Sequence, residues 1–219
     1  MSAFSESVVE DATLAWLESL GYAVLKLLAD AVGELPAREQ AGAAAVVIDV
    51  ATREVRALAS YPVYSYTDFN ADYEQLQRDA QRLPLLFRAV QGQYPPGSIC
   101  KAITLVGGLS EGVITPETRF HCTGFMLPDK PDRFRCWIYN QYGTTHDAAE
   151  PEGQNGEDAV RNSCNIYFFH VGEGLGVDRL CDWFSRFGLG RSAGTGLIEE
   201  VDGIVPTYAW LRQVAGRAS

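Results

Sequence analysis

The stretch Tyr94-Pro95-Pro96-Gly97-Ser98-Ile99-Cys100-Lys101 constrains this chain more than any other. Two consecutive prolines fix φ and remove two N–H donors, so neither a helix interior nor a central strand runs through them. Gly97 then permits a tight turn that a side chain would resist. A new element therefore begins near Ser98, and the apolar-rich run Lys101–Ser110, ended by Gly112, reads as a helix. Ser98 falls in its first turn, and Lys101 lies one turn further on the same face, within reach of the hydroxyl. A serine at such a place is also an ordinary helix cap, so S-x-x-K alone says little. With a lysine beside it, the same serine is a nucleophile that needs no histidine. The unpaired N–H groups and positive end of a helix start also favour an oxyanion there.

The rest of the 219-residue chain is enough for one sizeable domain. Residues 7–33 carry Val9, Leu14, Trp16, Leu17, Leu20, Val24, Leu27, Leu28 and Ala31 at helical spacing, and residues 34–42 read as a linker. Ala43–Val50 reads as a buried strand and Glu54–Ser60 as its neighbour across a tight turn at residues 51–53. Residues 61–93 are aromatic, polar and irregular, with a short helix expected around Tyr73–Arg82. Residues 116–155 read as loop, Glu157–Arg161 opens a helical region, and Val177–Phe187 reads as a helix ended by Gly188. Nothing repeats at a fixed period.

A formal charge of −10 argues against nucleic acid or an anionic membrane surface as the main partner. No run of 18 apolar residues exists, so no transmembrane helix is expected. Met1–Glu10 is acidic and polar, unlike a secretory leader. The expectation is a cytoplasmic protein or a chain that starts downstream of its export signal, with no membrane contact of its own.

Five cysteines leave at least one outside any set of internal disulfides. Cys122, Cys136, His146 and Cys164 form C-x13-C-x9-H-x17-C. Three thiolates and an imidazole make a closed tetrahedral zinc site. The pattern lacks a C-x-x-C knuckle, and it equally admits a Cys122–Cys136 disulfide or buried free thiols. Cys100 and Cys181 are expected to pack as small apolar residues, and His121 and His170 to be structural.

A second motif, Asn162-Ser163-Cys164-Asn165, supplies S-x-N 65 residues after Ser98. A hydroxyl beside a lysine relays protons, and an amide holds a peptide backbone. S-x-x-K followed by S-x-N is the order found in serine acyltransferases of the penicillin-binding type. The surrounding text extends the match: Ala45-Val46-Val47-Ile48-Asp49-Val50, Ala57-Leu58-Ala59-Ser60-Tyr61-Pro62, Arg88-Ala89-Val90-Gln91-Gly92-Gln93 before Tyr94, Glu111-Gly112-Val113-Ile114, and Ser163-Cys164-Asn165-Ile166-Tyr167-Phe168. Across residues 43 to about 207 the chain resembles the transpeptidase domain of class B (monofunctional) penicillin-binding proteins, the elongation-type branch in particular.

The resemblance implies an α/β (α+β) fold of the penicillin-binding-protein and serine β-lactamase type, an antiparallel sheet with flanking helices. With the helix and linker read from the spacing over 1–42, the resemblance leaves a partial transpeptidase domain over 43–219. Ser98 would attack the penultimate D-alanine carbonyl of a peptidoglycan stem peptide and Lys101 would accept its proton. Ser163 would pass the proton to the departing D-alanine, and Asn165 would orient substrate and steady Lys101. β-Lactams would acylate the same serine, and no cofactor enters the chemistry. Some members of this branch hold a structural zinc in corresponding places, which here means Cys122, Cys136, His146 and Cys164. The implied setting is the periplasmic face of the inner membrane, with the cell-elongation machinery as partner of the full-length protein.

The family's third motif, K-T-G, is missing. The lysines are Lys26, Lys101 and Lys130, and none follows Ser163; Gly194-Thr195-Gly196 lacks the cation. The expectation is a domain truncated before its last strands, weakly active or inactive by itself. A β-lactam sensor or hydrolase and a non-catalytic binding protein are the alternatives.

Overall fold

β1 (Ala43–Ile48) and β2 (Val55–Tyr61) pair antiparallel, with Ala45 opposite Ala59 and Val46 opposite Leu58. This is a computed structural model that describes residues 23–35, 42–197 and 199–216. The turn between the strands is held by Asp49, whose Oδ1 accepts from the N–H groups of Ala51 and Thr52 at 3.0 and 2.8 Å. Arg53 takes the positive φ of 68° that the turn demands, despite its side chain. β1 is half-buried instead of buried: Val46 and Ile48 are 47% and 53% exposed. Half-buried and exposed residues alternate along the strand, so one face of β1 has no cover among the described residues.

The described chain divides into two compact units, one of residues up to Gln93 with Gly194–Val201, the other of Tyr94–Ala193 with the segment from Asp202. In the first, residues 23–33 form helix α1, the described end of the helix expected over 7–33; residues 7–22, and 36–41 of the linker, lie outside the described residues. Helix α2 (Tyr66–Arg78) starts earlier than the residues around Tyr73–Arg82 suggest. Helix α3 (Arg88–Gln91) is tied to β2: the Arg88 N–H donates to Ser60 Oγ at 2.9 Å. The buried Arg88 guanidinium donates to the carbonyls of Leu83 and Arg82, and so fixes the loop before it.

The second unit carries α4 (Cys100–Ser110), α5 (Trp137–Tyr142), α6 (Gly156–Arg161), α7 (Asn165–Arg186) and α8 (Tyr208–Ala215). Its core is the inner face of α7, Ile166, Tyr167, Phe168, Val171 and Leu175, packed with Ile114, Ala159 and three buried cysteines. Gly108 sets how closely α4 approaches α7, since a Cβ there would lie 2.6 Å from Val171 Cγ1. Helix α6 opens with a reciprocal cap in which the Asp158 N–H donates to Asn155 Oδ1 at 2.9 Å. Helix α7 begins twelve residues before the expected Val177, and Gly176 interrupts it at φ 72°. The sequence pattern finds only the part after that kink, because Gly172, Gly174 and Gly176 dilute the helical signal before it. No helix among the described residues is long and apolar enough to cross a membrane.

Candidate active site

Ser98 sits in the 3-10 turn Gly97–Ile99, which runs straight into α4 and places Lys101 in that helix's first turn. Gly97 adopts φ 57°, the left-handed conformation that the Pro-Pro-Gly sequence anticipates. The second motif straddles the junction of α6 and α7. Asn165 is the first residue of α7, and Ser163 stands just before it at φ 50°. A non-glycine residue in this region costs of order 1–3 kcal/mol, and such strain gathers where a side chain must be aimed.

All four expected residues meet. Lys101 Nζ donates to the Ser163 carbonyl oxygen at 2.6 Å, to Ser163 Oγ at 2.9 Å and to Asn165 Oδ1 at 2.6 Å. Ser163 Oγ is 3.0 Å from Ser98 Oγ. Helical spacing anticipates direct reach from Lys101 to Ser98, whereas the hydrogen-bonded path runs Lys101–Ser163–Ser98. Three acceptors on the 163–165 segment draw the ammonium towards α7. Asn165 is held in turn, its Nδ2 donating to the Arg135 carbonyl at 2.8 Å. Burial pushes the Lys101 amine below a lysine's ordinary pKa, with the Cys136 and Cys164 thiols opposing the shift.

An open cleft of about 600 Å3 lies over this cluster. Its polar floor is Ser98, Lys101, Thr104, Ser163 and Asn165, and its apolar wall is Trp137, Phe168 and Phe169. The Lys101 ammonium lies 5.7 Å from the Phe168 ring centroid, within cation–π range.

Behind the S-x-N segment, Cys122, Cys136, His146 and Cys164 are all buried, with one ligand atom from each within 4.8 Å of the others. A tetrahedron of thiolates about 2.3 Å from zinc has edges of roughly 3.8 Å, so slight contraction closes this one. All five cysteines are free thiols. His146 Nδ1 lies 3.6 Å from Cys136 Sγ, and its buried Nε2 has no hydrogen-bond partner. An imidazole so poorly satisfied by protein groups, among three converging thiols, fits a soft divalent metal. Hydrogen bonds from the Cys122 and Cys164 thiols lower the pKa of the Cys136 thiol, while the contacts of Cys164 with Cys122 and Cys136 raise its own.

Asp147 is a brace that sequence reasoning missed. Its Oδ1 accepts from the Cys122 N–H at 2.7 Å, and its Oδ2 lies 2.9 Å from His121 Nδ1. Adjacency to His146 was the available signal. His170 stacks on Phe120 at 4.8 Å, and Cys181 is buried, as expected of packing residues; Cys100 is half-buried and lines the cleft.

Helices that bring S-x-x-K and S-x-N to one cleft define a class, and a family model agrees. The model described as "Penicillin binding protein transpeptidase domain" matches residues 43–218, and the chain belongs to that family. More particularly, it is 35% identical over 76% of its length to "Peptidoglycan D,D-transpeptidase MrdA" of Haemophilus influenzae, covering 25% of that protein. It is 36% identical over 77% of its length to the protein of that name in Escherichia coli K12, covering 26% of it. Among solved structures it is similar to PBP2 of Pseudomonas aeruginosa in complex with WCK 5153. That match has TM-score 0.68 and 31% identity over 87% of this chain and 41% of that one. The D,D-transpeptidase domain of a peptidoglycan glycosyltransferase from Eggerthella lenta matches with TM-score 0.65 and 25% identity, over 87% of this chain and 42% of the other. The chain thus spans about a quarter of the length of the curated relatives it matches. The expected penicillin-binding-protein fold is the fold found.

Proposed function

We propose that residues 43–219 form part of a peptidoglycan D,D-transpeptidase domain, with Ser98 as nucleophile, Lys101 as base, Ser163 as proton relay and Asn165 as orienting amide. The observation that carries this reading is the unbroken path from Ser98 Oγ through Ser163 Oγ to Lys101 Nζ, at 3.0 and 2.9 Å. With Lys101 neutral, the Ser98 proton passes to Ser163 as the Ser163 proton passes to Lys101. Ser98 Oγ then bonds to the penultimate D-alanine carbonyl carbon of a stem peptide. When the tetrahedral intermediate collapses, the C–N bond breaks and the departing D-alanine amine takes the proton back along the same path. An amine of a second stem attacks the ester, forms the cross-link and frees Ser98. β-Lactams acylate the same oxygen. Mass-spectrometric location of a bound penicillin tests the assignment: adduct at Ser98 supports it, and adduct elsewhere or persisting in S98A overturns it.

Cys122, Cys136, His146 and Cys164 hold a structural zinc in this reading. The metal would tie the 122, 136 and 164 segments together and so fix the loop that presents Ser163 and Asn165. The similarity to proteins named peptidoglycan D,D-transpeptidase MrdA supports a role in peptidoglycan cross-linking, and the sequence's resemblance to the elongation-type branch is the ground for proposing the cell-elongation machinery as partner and the periplasmic face of the inner membrane as location.

A second reading rests on the lysine count. No lysine follows Lys130, so the chain contributes no K-T-G and no second oxyanion donor from such a strand. Taken alone it binds acyl donors but reacts slowly with them.

A further inference from the structure

Ser163 stands where a helix end usually has glycine. Its N–H donates to the Val160 carbonyl at 3.1 Å, and the Cys164 N–H donates to the Ala159 carbonyl at 2.9 Å. With φ 50° at Ser163, these two bonds make the left-handed cap that closes many helices, here at the end of α6. Ala159 and Cys164, joined by the longer loop of the cap, are both buried. Two peptide planes flank Ser163, and their four polar atoms settle where its Cβ points. The cap takes both N–H groups. Lys101 Nζ donates to the Ser163 carbonyl at 2.6 Å. The fourth atom is the Asn162 carbonyl oxygen, a helix-end acceptor with no partner inside the helix. The Trp137 Nε1–H donates to it at 2.9 Å. The Trp137 ring is steadied in turn by His146, which it meets edge-on with centroids 5.8 Å apart.

We infer that Trp137 is a positioning residue for the proton path: its indole N–H holds the 162–163 peptide plane, and so aims Ser163 Oγ into the gap between Ser98 and Lys101. This rests on the relay reading above. A serine at φ 50° is strained, and turning the 162–163 peptide would relieve the strain while carrying the hydroxyl off its partners. The indole opposes that turn, because the Asn162 carbonyl would exchange a fixed donor for water. The relay needs both of its contacts, at 3.0 and 2.9 Å, at the moment of transfer. Loss of the indole N–H is therefore expected to slow acylation about 3- to 10-fold, the scale of one hydrogen bond.

W137F removes the N–H and keeps an aromatic ring. At saturating fluorescent penicillin, its acylation rate is expected to fall about 3- to 10-fold in the parent chain. In a chain that already carries S163A, the same change is expected to cost nothing further, because Trp137 acts through the Ser163 hydroxyl. A tryptophan that merely supports the fold slows both chains alike. The unaltered chain gives a second readout that does not depend on how the variant folds. In 15N-labelled protein the Trp137 indole N–H signal is identified by its loss in W137F, and it is expected to exchange with D2O about tenfold or more slowly than a free indole. Equal slowing of both chains, or an unprotected indole N–H, overturns the role. A slow S163A beside a W137F that labels as fast as the parent overturns this role alone. An S163A that labels as fast as the parent overturns the relay, and this role with it.

Discussion

Ser163 Oγ stands between two groups, 3.0 Å from Ser98 Oγ and 2.9 Å from Lys101 Nζ, and it is the bonded link from the lysine to the serine. Its φ of 50° keeps the hydroxyl turned into that gap. S163A should therefore slow penicillin acylation by roughly 10²- to 10⁴-fold while leaving the fold intact, the range for losing a proton-transfer group. Time-resolved labelling with a fluorescent penicillin measures this. A variant that labels as fast as the parent would show that Lys101 takes the proton directly.

Lys101 gives the reaction a pH limb of predictable sign. Only the neutral amine accepts a proton, so the acylation rate should rise about tenfold per pH unit below the Lys101 pKa and level off above it. Burial lowers that pKa, so the plateau should begin below pH 10.5, the ordinary value for lysine. K101R, always charged, should lose both activity and limb. A rate that keeps rising tenfold per pH unit up to pH 10.5, or a K101R variant that acylates as fast as the parent, would sink the assignment.

The thiol cluster predicts metal dependence. Freshly prepared, reduced protein should contain about one zinc per chain, and a strong chelator should lower Tm by at least ~5 °C, the scale of a few kcal/mol in a domain this size. D147A removes the carboxylate that holds the Cys122 N–H and should weaken zinc retention by about 10- to 100-fold, as loss of an outer partner commonly does. Zinc-free protein whose Tm ignores the chelator would leave the cysteines as packing residues.

Missing a lysine after Lys130, the chain as it stands should acylate slowly, by roughly 10²- to 10³-fold for the loss of one oxyanion donor. Stoichiometric labelling of Ser98 within seconds at micromolar penicillin would contradict this.

The spacing of α4 and α7 holds Lys101 beside Asn165, and Gly108 sets it. A methyl there would meet Val171 Cγ1 at 2.6 Å and Ile114 Cγ1 at 3.1 Å. G108A should cost about 1–3 kcal/mol by overpacking and slow acylation beyond that loss. Urea denaturation with parallel labelling checks both effects. An unchanged midpoint would mean that α7 yields freely.

How far the sequence could be read depended on how local each signal was. The β1–β2 hairpin, α4 and the turn at Gly97 follow from apolar runs and backbone rules that act within a few residues. Helix α5 escaped notice because six residues closed by Gly143 are too few to show a period, and they lie in a polar stretch. The first half of α7 was hidden by its glycines, and one of them has a distant reason to be small: a Cβ on Gly174 would lie 2.5 Å from Val113 Cγ1. Nothing local records such long-range packing.

Determined by the sequence itself were the identities of the reacting groups: Ser98 and Lys101 at helical spacing, Ser163 and Asn165 in a second triplet, and four soft ligands spread over 43 residues, from 122 to 164. Only the tertiary structure decided how they connect. It routed the lysine to Ser163, placed Asp147 under Cys122 and turned Trp137 into the cleft. Residue type is fixed by the chain, but a hydrogen bond depends on tenths of an ångström, and the packing of α4 on α7 sets those.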